Sequence, residues 1–216
     1  MDFEVARANM IEQQIRPWNV LELRTLDALA AIRREDFVPA KYRDLAFADV
    51  QIPLGGGEVM LEPKVSARMM ESLHIEDDDR VLEIGTGTGY LTALLCKVCA
   101  HVTSVEIDPA LLDQARRNLG MSGISNVILE QGDGHNGFGN PSSFDAILVS
   151  GSMARISDGL THGLKEGGRL VGIEGHAPAM QAVLYTRSSS GMNRRSLFET
   201  GASRLKNAED AAEFVF

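Results

Sequence analysis

The sequence predicts an α/β chain built on a doubly wound, mostly parallel sheet, and three observations predict it. Short apolar runs recur at 80–84, 101–107, 127–131, 144–149 and 169–173. Helical stretches at 90–98, 109–119 and 154–165 lie between them, and such alternation places helices on both faces of a parallel sheet with right-handed crossovers. The pattern then changes: apolar runs at 182–186 and 196–200 flank the polar loop Ser188-Ser189-Ser190-Gly191, a hairpin signature that adds an antiparallel edge.

A helical and looped lead segment precedes the sheet. Residues 2–15 carry Phe3, Ala6, Met10 and Ile11 on one face and predict a helix ended by Pro17. A second helix is expected after Asn19, with Glu22 at the N3 position of a capping box and Leu23, Leu26, Leu29 and Ala30 as its buried stripe. Phe37-Val38-Pro39 breaks that pattern, and 40–62 reads as irregular around the turn Gly55-Gly56-Gly57. Pro63 suits the first position of a helix running through Leu73, with Val65, Met69, Met70 and Leu73 inward. Pro109 after Asp108 starts another helix, and Gly167-Gly168 is expected to stop one. The expected division is a lead segment, 1–75, forming part of the active-site cover, and a core, 76–216, folded as one compact unit. The lead should pack over the carboxyl ends of the strands, where open α/β sheets bind ligands.

The most informative run is Val81-Leu82-Glu83-Ile84-Gly85-Thr86-Gly87-Thr88-Gly89. A strand that turns on glycines into a helix presents backbone N–H groups to a ligand without Cβ obstruction. A dinucleotide fingerprint, G-x-G-x-x-G, would need glycine at position 90, where the chain has Tyr90. The loop therefore suits a nucleoside ligand without a pyrophosphate, and S-adenosyl-L-methionine is the expected cofactor. Glu106 ends the next strand about 20 residues after Gly85, where a carboxylate can accept both ribose hydroxyls. Asp133 sits between Gly132 and Gly134 after the following strand, either as a turn residue or as acceptor for the adenine amino group.

Composition narrows the partners. The 216 residues are 44% hydrophobic and 24% charged, with a net charge of −9 that disfavours nucleic acid. No apolar run approaches the roughly 20 residues of a membrane span, and the start, with Asp2 and Glu4, lacks an apolar leader core. A cytoplasmic location and no membrane contact are expected. The late basic residues Arg194, Arg195, Arg204 and Lys206 read as a solvated face. Cys96 and Cys99 fall late in a helix, not at its start, and read as small core residues. The histidines His74, His101, His135, His162 and His176 lack H-x₃₋₅-H spacing, so no metal site is expected.

Together these features resemble the class I S-adenosylmethionine-dependent methyltransferases. Within that class the chain is similar to the protein-L-isoaspartate O-methyltransferase family. The narrower resemblance rests on Arg34-Glu35-Asp36-Phe37-Val38-Pro39, Ala46-Phe47-Ala48-Asp49, Ile52-Pro53-Leu54-Gly55, Glu62-Pro63, the run 81–90, Gly132-Asp133-Gly134 with Gly137, and Phe144-Asp145-Ala146-Ile147. In that order they cover about residues 7–186. The resemblance implies a Rossmann-like sheet of seven strands with the last antiparallel. It implies a cofactor site drawn from Glu83, Gly85, Thr86, Gly87, Gly89, Glu106, Ile107, Gly132, Asp133 and Gly134. It also implies a carboxylate acceptor, normally the α-carboxyl of an isoaspartyl residue in a damaged protein.

The chain departs from the family where Val59 and Leu61 replace a Thr and a Ser, and where Glu58 replaces a Gln. Gly172-Ile173-Glu174-Gly175 stands for the family's I-P-V-G, and 198–216 has no F-V-P-L. The substrate-side candidates are Glu58, Val59 and Leu61, with Ser150 and Ser152 after the strand at 144–149. The partner expected is a peptide or small-molecule methyl acceptor. Methyl transfer from a sulfonium needs acceptor and methyl carbon held in line. A carboxylate is already ionised at neutral pH, so no catalytic residue is expected. An amine or phenol would need a base, for which His135, His176 and Asp49 are the candidates. Two other functions fit the sequence: a methyltransferase on a small metabolite, and a cofactor-binding module without catalysis.

Overall fold

The computed structural model describes residues 2–208; Met1 and 209–216, the end of the departing segment 198–216, lie outside the described residues. Seven strands make the central sheet: β3 (Arg80–Ile84), β4 (His101–Glu106), β5 (Val127–Gln131), β6 (Phe144–Met153), β7 (Leu164–His176), β8 (Ala179–Ser188) and β9 (Gly191–Glu199). Their spatial order is β5-β4-β3-β6-β7-β8-β9. The first five pair in parallel, and β8 and β9 close the sheet as an antiparallel meander. From β3 the chain moves first to β4 and β5 on one side and then to β6 on the other. That reversal opens a crevice at the carboxyl ends of β3, β4 and β6.

The central strands are buried on both faces. Val81, Val102, Ala146, Leu148 and Val171 pack toward α2 (Leu23–Ala31), α3 (Pro63–Ser72) and α4 (Tyr90–Cys96). Leu82, Ile84, Ile147, Val149 and Leu170 pack on the opposite face, under α6 (Asp158–His162) and its flanking loops. Residues of the lead segment, from Met10 to Leu73, belong to the same apolar cluster as the first of these faces. α5 (Pro109–Met121) starts as its Pro-after-Asp signal indicates: the Asp108 carboxylate accepts the N–H groups of Ala110 and Leu111.

Several elements differ from the sequence expectation for identifiable reasons. The helix expected over 2–15 is α1 (Phe3–Met10), followed by a π turn at Ile11–Ile15 and a 3₁₀ turn at Arg16–Trp18. Pro17 lacks the N–H that would continue it, and Asn19 closes the turn in the left-handed region. No capping box opens α2. Glu22 is itself the cap residue, and the N–H groups of Leu21 and Glu22 donate to Glu71 on α3 instead. Within the stretch read as irregular, β1 (Ile52–Gly55) and β2 (Glu58–Met60) form a hairpin across Gly55–Gly57. A strand of three residues is too short to show alternation. The helix expected at 154–165 shortens to α6, and Gly167-Gly168 stops no helix. They form a bulge inside β7, between the pairs Phe144↔Leu164 and Ala146↔Arg169.

Arg194 does not belong to a merely solvated face. Its guanidinium pairs with Glu174 at 2.7 Å, and the other Glu174 oxygen accepts the Tyr185 hydroxyl and the Ile156 N–H. Burial raises the Cys96 thiol well above its ordinary pKa and pushes Cys99 up to about 12, as suits core residues and not reactive thiols. Among the described residues no helix is long and apolar enough to cross a membrane, and no group of three or more His, Cys, Asp or Glu could hold a metal ion.

Candidate active site

The glycine turn between β3 and α4 is conformationally obligatory. Gly85, Gly87 and Gly89 have φ of 90°, 56° and 89°, a region that L side chains rarely adopt. A Cβ on Gly85 would run into the Ser150 hydroxyl, which lies 2.6 Å from the Gly85 carbonyl and 3.0 Å from that of Ile84. A Cβ on Gly87 would come within 3.3 Å of Leu54 on the lead hairpin. Gly89 works differently: it backs onto Leu119 and Ala115 of α5, so it sets helix packing and lines neither cavity described below.

Glu106 at the tip of β4 is 5% exposed, and its carboxylate is fixed by backbone donors. The Gly87 N–H donates to one oxygen at 2.8 Å and the Asp108 N–H to the other at 2.9 Å. The acid therefore ties the glycine turn to β4 while keeping lone pairs free for ribose hydroxyls. Asp133, on the rim, accepts the N–H and imidazole Nδ1 of His135 and the amide of Asn207. Burial works to raise its pKa, but the hydrogen bonds from Asn207 and His135 outweigh it and hold the carboxyl below its ordinary value. Asp133 thus closes a local turn with His135, and it also lines the cavity beside Glu106.

Glu83 is where the structure corrects the sequence expectation. It lies wholly buried beneath the glycine turn and lines neither cavity. The hydroxyls of Thr92 and Ser104 donate to one oxygen, at 2.5 and 2.6 Å, and Thr86 of the turn lies 2.6 Å from Ser104. Burial pushes its pKa up to about 7, against those two hydrogen bonds. An acid raised above its ordinary 4.5 costs the fold nothing below that pH, and its cost grows as pH rises to about 7. Glu83→Gln should therefore gain stability relative to the parent by up to about 3 kcal/mol across that window. Urea unfolding at a series of pH values reads this directly; parallel curves for the two proteins would contradict it.

Two cavities of about 40 Å³ each flank the glycine turn. The first, between the tips of β4 and β5, is lined by Gly85, Glu106, Ile107, Gly132, Asp133 and Gly134, with His135, Leu205 and Lys206. Glu58 also lines it, so this residue stands with Glu106 and Asp133 and not with Val59 and Leu61, the substrate-side candidates with which the sequence grouped it. Burial, opposed by Lys206, raises the Glu58 pKa. The second cavity is lined by Leu54, Val59, Met60, Leu61, Thr86, Tyr90 and Ser150 among others. Ser150 and Ser152 both lie within β6, not after it, and Ser152 is fully buried away from both cavities. Of the proposed bases, Asp49 pairs with Lys64 at the surface, His176 is exposed at the end of β7, and His135 sits on the nucleoside side.

Two features escaped the sequence reading. Arg34 is fully buried; it donates to the carbonyls of Ala46 and Leu61 at 2.8 and 2.7 Å and lies 4.6 Å over the Tyr90 ring. Its signal was the R-E-D-F-V-P run, but a charged residue in that run does not announce burial. The other is a segment, 202–208, that crosses the strand ends and places Leu205 and Lys206 in the first cavity. Its polar, non-periodic sequence gives no such hint.

A glycine turn whose Gly85 and Gly87 line the cavities, an oriented acid at the next strand tip and a rim carboxylate suit an adenosyl ligand. With the topology of the sheet, they define a class I S-adenosyl-L-methionine-dependent methyltransferase. The family profile of protein-L-isoaspartate(D-aspartate) O-methyltransferase matches residues 6–195. A protein-L-isoaspartate O-methyltransferase of Koribacter versatilis is 39% identical over 194 residues, covering 90% of this chain and 87% of that protein. One from Myxococcus xanthus is 44% identical over 152 residues, covering 70% and 72%. A solved protein-L-isoaspartate O-methyltransferase superposes with a TM-score of 0.78 at 27% identity over 92% of this chain, which spans 65% of that one. A Plasmodium falciparum structure, described under the same activity and in complex with S-adenosyl-L-homocysteine, shares the fold at a TM-score of 0.80 and 17% identity, covering 95% and 99%. The chain belongs to the protein-L-isoaspartate(D-aspartate) O-methyltransferase family.

Proposed function

We propose that this methyltransferase acts on a carboxylate of a peptide or protein, the α-carboxyl of an L-isoaspartyl residue. One observation carries the reading. Among the described residues lining the cavity beside the glycine turn and the lead hairpin, Tyr90 is the one ionisable side chain, and it is buried under Arg34 with its pKa raised by burial. A site without a base suits an acceptor that is already an anion. In this reading Gly85, Thr86 and Gly87 cradle the donor, Glu106 takes the ribose hydroxyls, and Asp133 takes the adenine amine with Ile107, Gly132 and Gly134 as its walls. Val59, Leu61 and Ser150 then face the acceptor. The donor supplies an electrophilic methyl; the chain holds the acceptor oxygen in line with it and excludes water. In the proposed division at 1–75 and 76–216, the described residues of the first part serve as cover and those of the second as the core that holds the donor.

The test is methyl transfer to an isoaspartyl peptide against its aspartyl counterpart. Transfer to neither, with donor binding intact, would overturn the acceptor assignment. A small carboxylic acid is the second reading, favoured by the apolar Val59 and Leu61 that line this cavity; preference for such an acid over the peptide would establish it. Loss of a general base costs roughly 100-fold or more. Asp49→Asn and His176→Gln are therefore each expected to keep kcat within about three-fold. A larger loss in either would restore a base to the mechanism.

A further inference from the structure

After β9 the chain returns across the carboxyl ends of the strands. The base of this return is firmly held. The Ser152 N–H donates to the Ser203 carbonyl at 2.8 Å, the Leu205 N–H to the Ser152 carbonyl at 2.9 Å, and the Ser152 hydroxyl to the Ala202 carbonyl at 3.0 Å. Gly151 makes room for it, since a Cβ there would lie 2.5 Å from the Leu205 side chain. Beyond Leu205 the chain turns, the Ala208 N–H donating back to the Leu205 carbonyl at 3.1 Å and Ala208 lying buried. Lys206 and Asn207 are exposed. The Lys206 ammonium lies 3.8 Å from Glu58 and 3.9 Å from Asp108, while the Asn207 amide donates to Asp133 at 2.7 Å.

The cavity beneath this tip is about 40 Å³. Pockets for small organic ligands start near roughly 300 Å³, so an adenosyl group has no room while the tip is down. Ile84, Val105 and Glu106 on the strand ends are buried walls, Glu58 and Asp133 complete the rim, and the exposed tip reaches that rim through the Lys206 and Asn207 side chains. The Asn207 amide and the adenine amine offer the same thing, an N–H donor to a carboxylate. We propose that the exposed tip at Lys206 and Asn207 is a latch over the donor site, in which Asn207 holds the hydrogen bond on Asp133 that adenine takes, so that donor entry requires Asn207 to let go. The proposal rests on the reading of Asp133 as the adenine acceptor.

Asn207 has φ of 62°, a conformation that Gly and Asp also accept, so Asn207→Gly and Asn207→Asp remove the donor without straining the turn. Asp adds repulsion against Asp133. Binding of S-adenosyl-L-homocysteine to the full chain is measured by calorimetry for affinity and by surface plasmon resonance for rate. Both variants should associate faster and bind up to roughly ten-fold tighter, the size of one hydrogen bond to a charged group. An association rate unchanged or lower in either variant overturns the latch. Absence of binding by the parent and both variants would instead overturn the donor site itself, and the latch with it.

Discussion

Replacing Gly85 with alanine is expected to abolish measurable donor binding and to lower the thermal midpoint by roughly 10 °C. The residue has φ of 90°, so alanine there carries backbone strain of about 1–2 kcal/mol. The new methyl occupies the place of the Ser150 hydroxyl, which must turn away and give up the one hydrogen bond that it shares between the Ile84 and Gly85 carbonyls, about 1 kcal/mol. The turn cannot absorb this locally, because the N–H groups of Gly85 and Thr86 are both directed at the Val105 carbonyl of β4. Adding Ser150→Ala removes the obstruction, so the double variant should melt above Gly85→Ala alone, a coupling that independent sites would not show. Undiminished binding of S-adenosyl-L-homocysteine to Gly85→Ala, measured by calorimetry, would remove the glycine turn from the donor site.

Glu106→Ala should weaken donor binding by roughly 100-fold, through two losses at once. The ribose loses its charged acceptor, and the N–H groups of Gly87 and Asp108 lose the anion that positions the turn. Glu106→Gln separates the two. Its single carbonyl oxygen can serve one of those N–H groups but not both, and a weakening of about ten-fold is expected. The same titration reads both variants, and equal affinity for parent and alanine variant would show that the strand tip does not touch the donor.

The parts of the fold that were legible in the sequence are those where local chemistry and long-range packing agree. β3 and β4 could be placed because buried parallel strands are short apolar runs bounded by turn residues. The starts of α3 and α5 were visible because proline at the first helical position serves only one purpose there. The end of the chain was less legible. In β9 the residues Gly191–Ser196 are exposed, so no apolar alternation marks the strand, and its pairing partner supplies what the sequence lacks. The candidate site divides in the same way. Gly85 and Glu106 are recognisable from spacing alone, whereas Glu83, one residue pair before the turn, could not be assigned a depth by spacing, and only the hydroxyls of Thr92 and Ser104 reveal that it faces inward. Glu58 went to the wrong side because the hairpin's reversal at Gly55–Gly57 swings it toward Glu106, while its neighbour Val59 faces the other cavity.

Arg34 gives the two halves of the proposed reaction centre a common foundation. One guanidinium grips the main chain at Leu61, behind the proposed acceptor wall, and rests on the ring of Tyr90, the first residue of the helix that follows the glycine turn. Neither wall can drift far without dragging the other. Warming or mild denaturant should therefore erode methyl-donor affinity and turnover in step, so that the enzyme fails as a unit instead of lingering as a donor trap that no longer reacts.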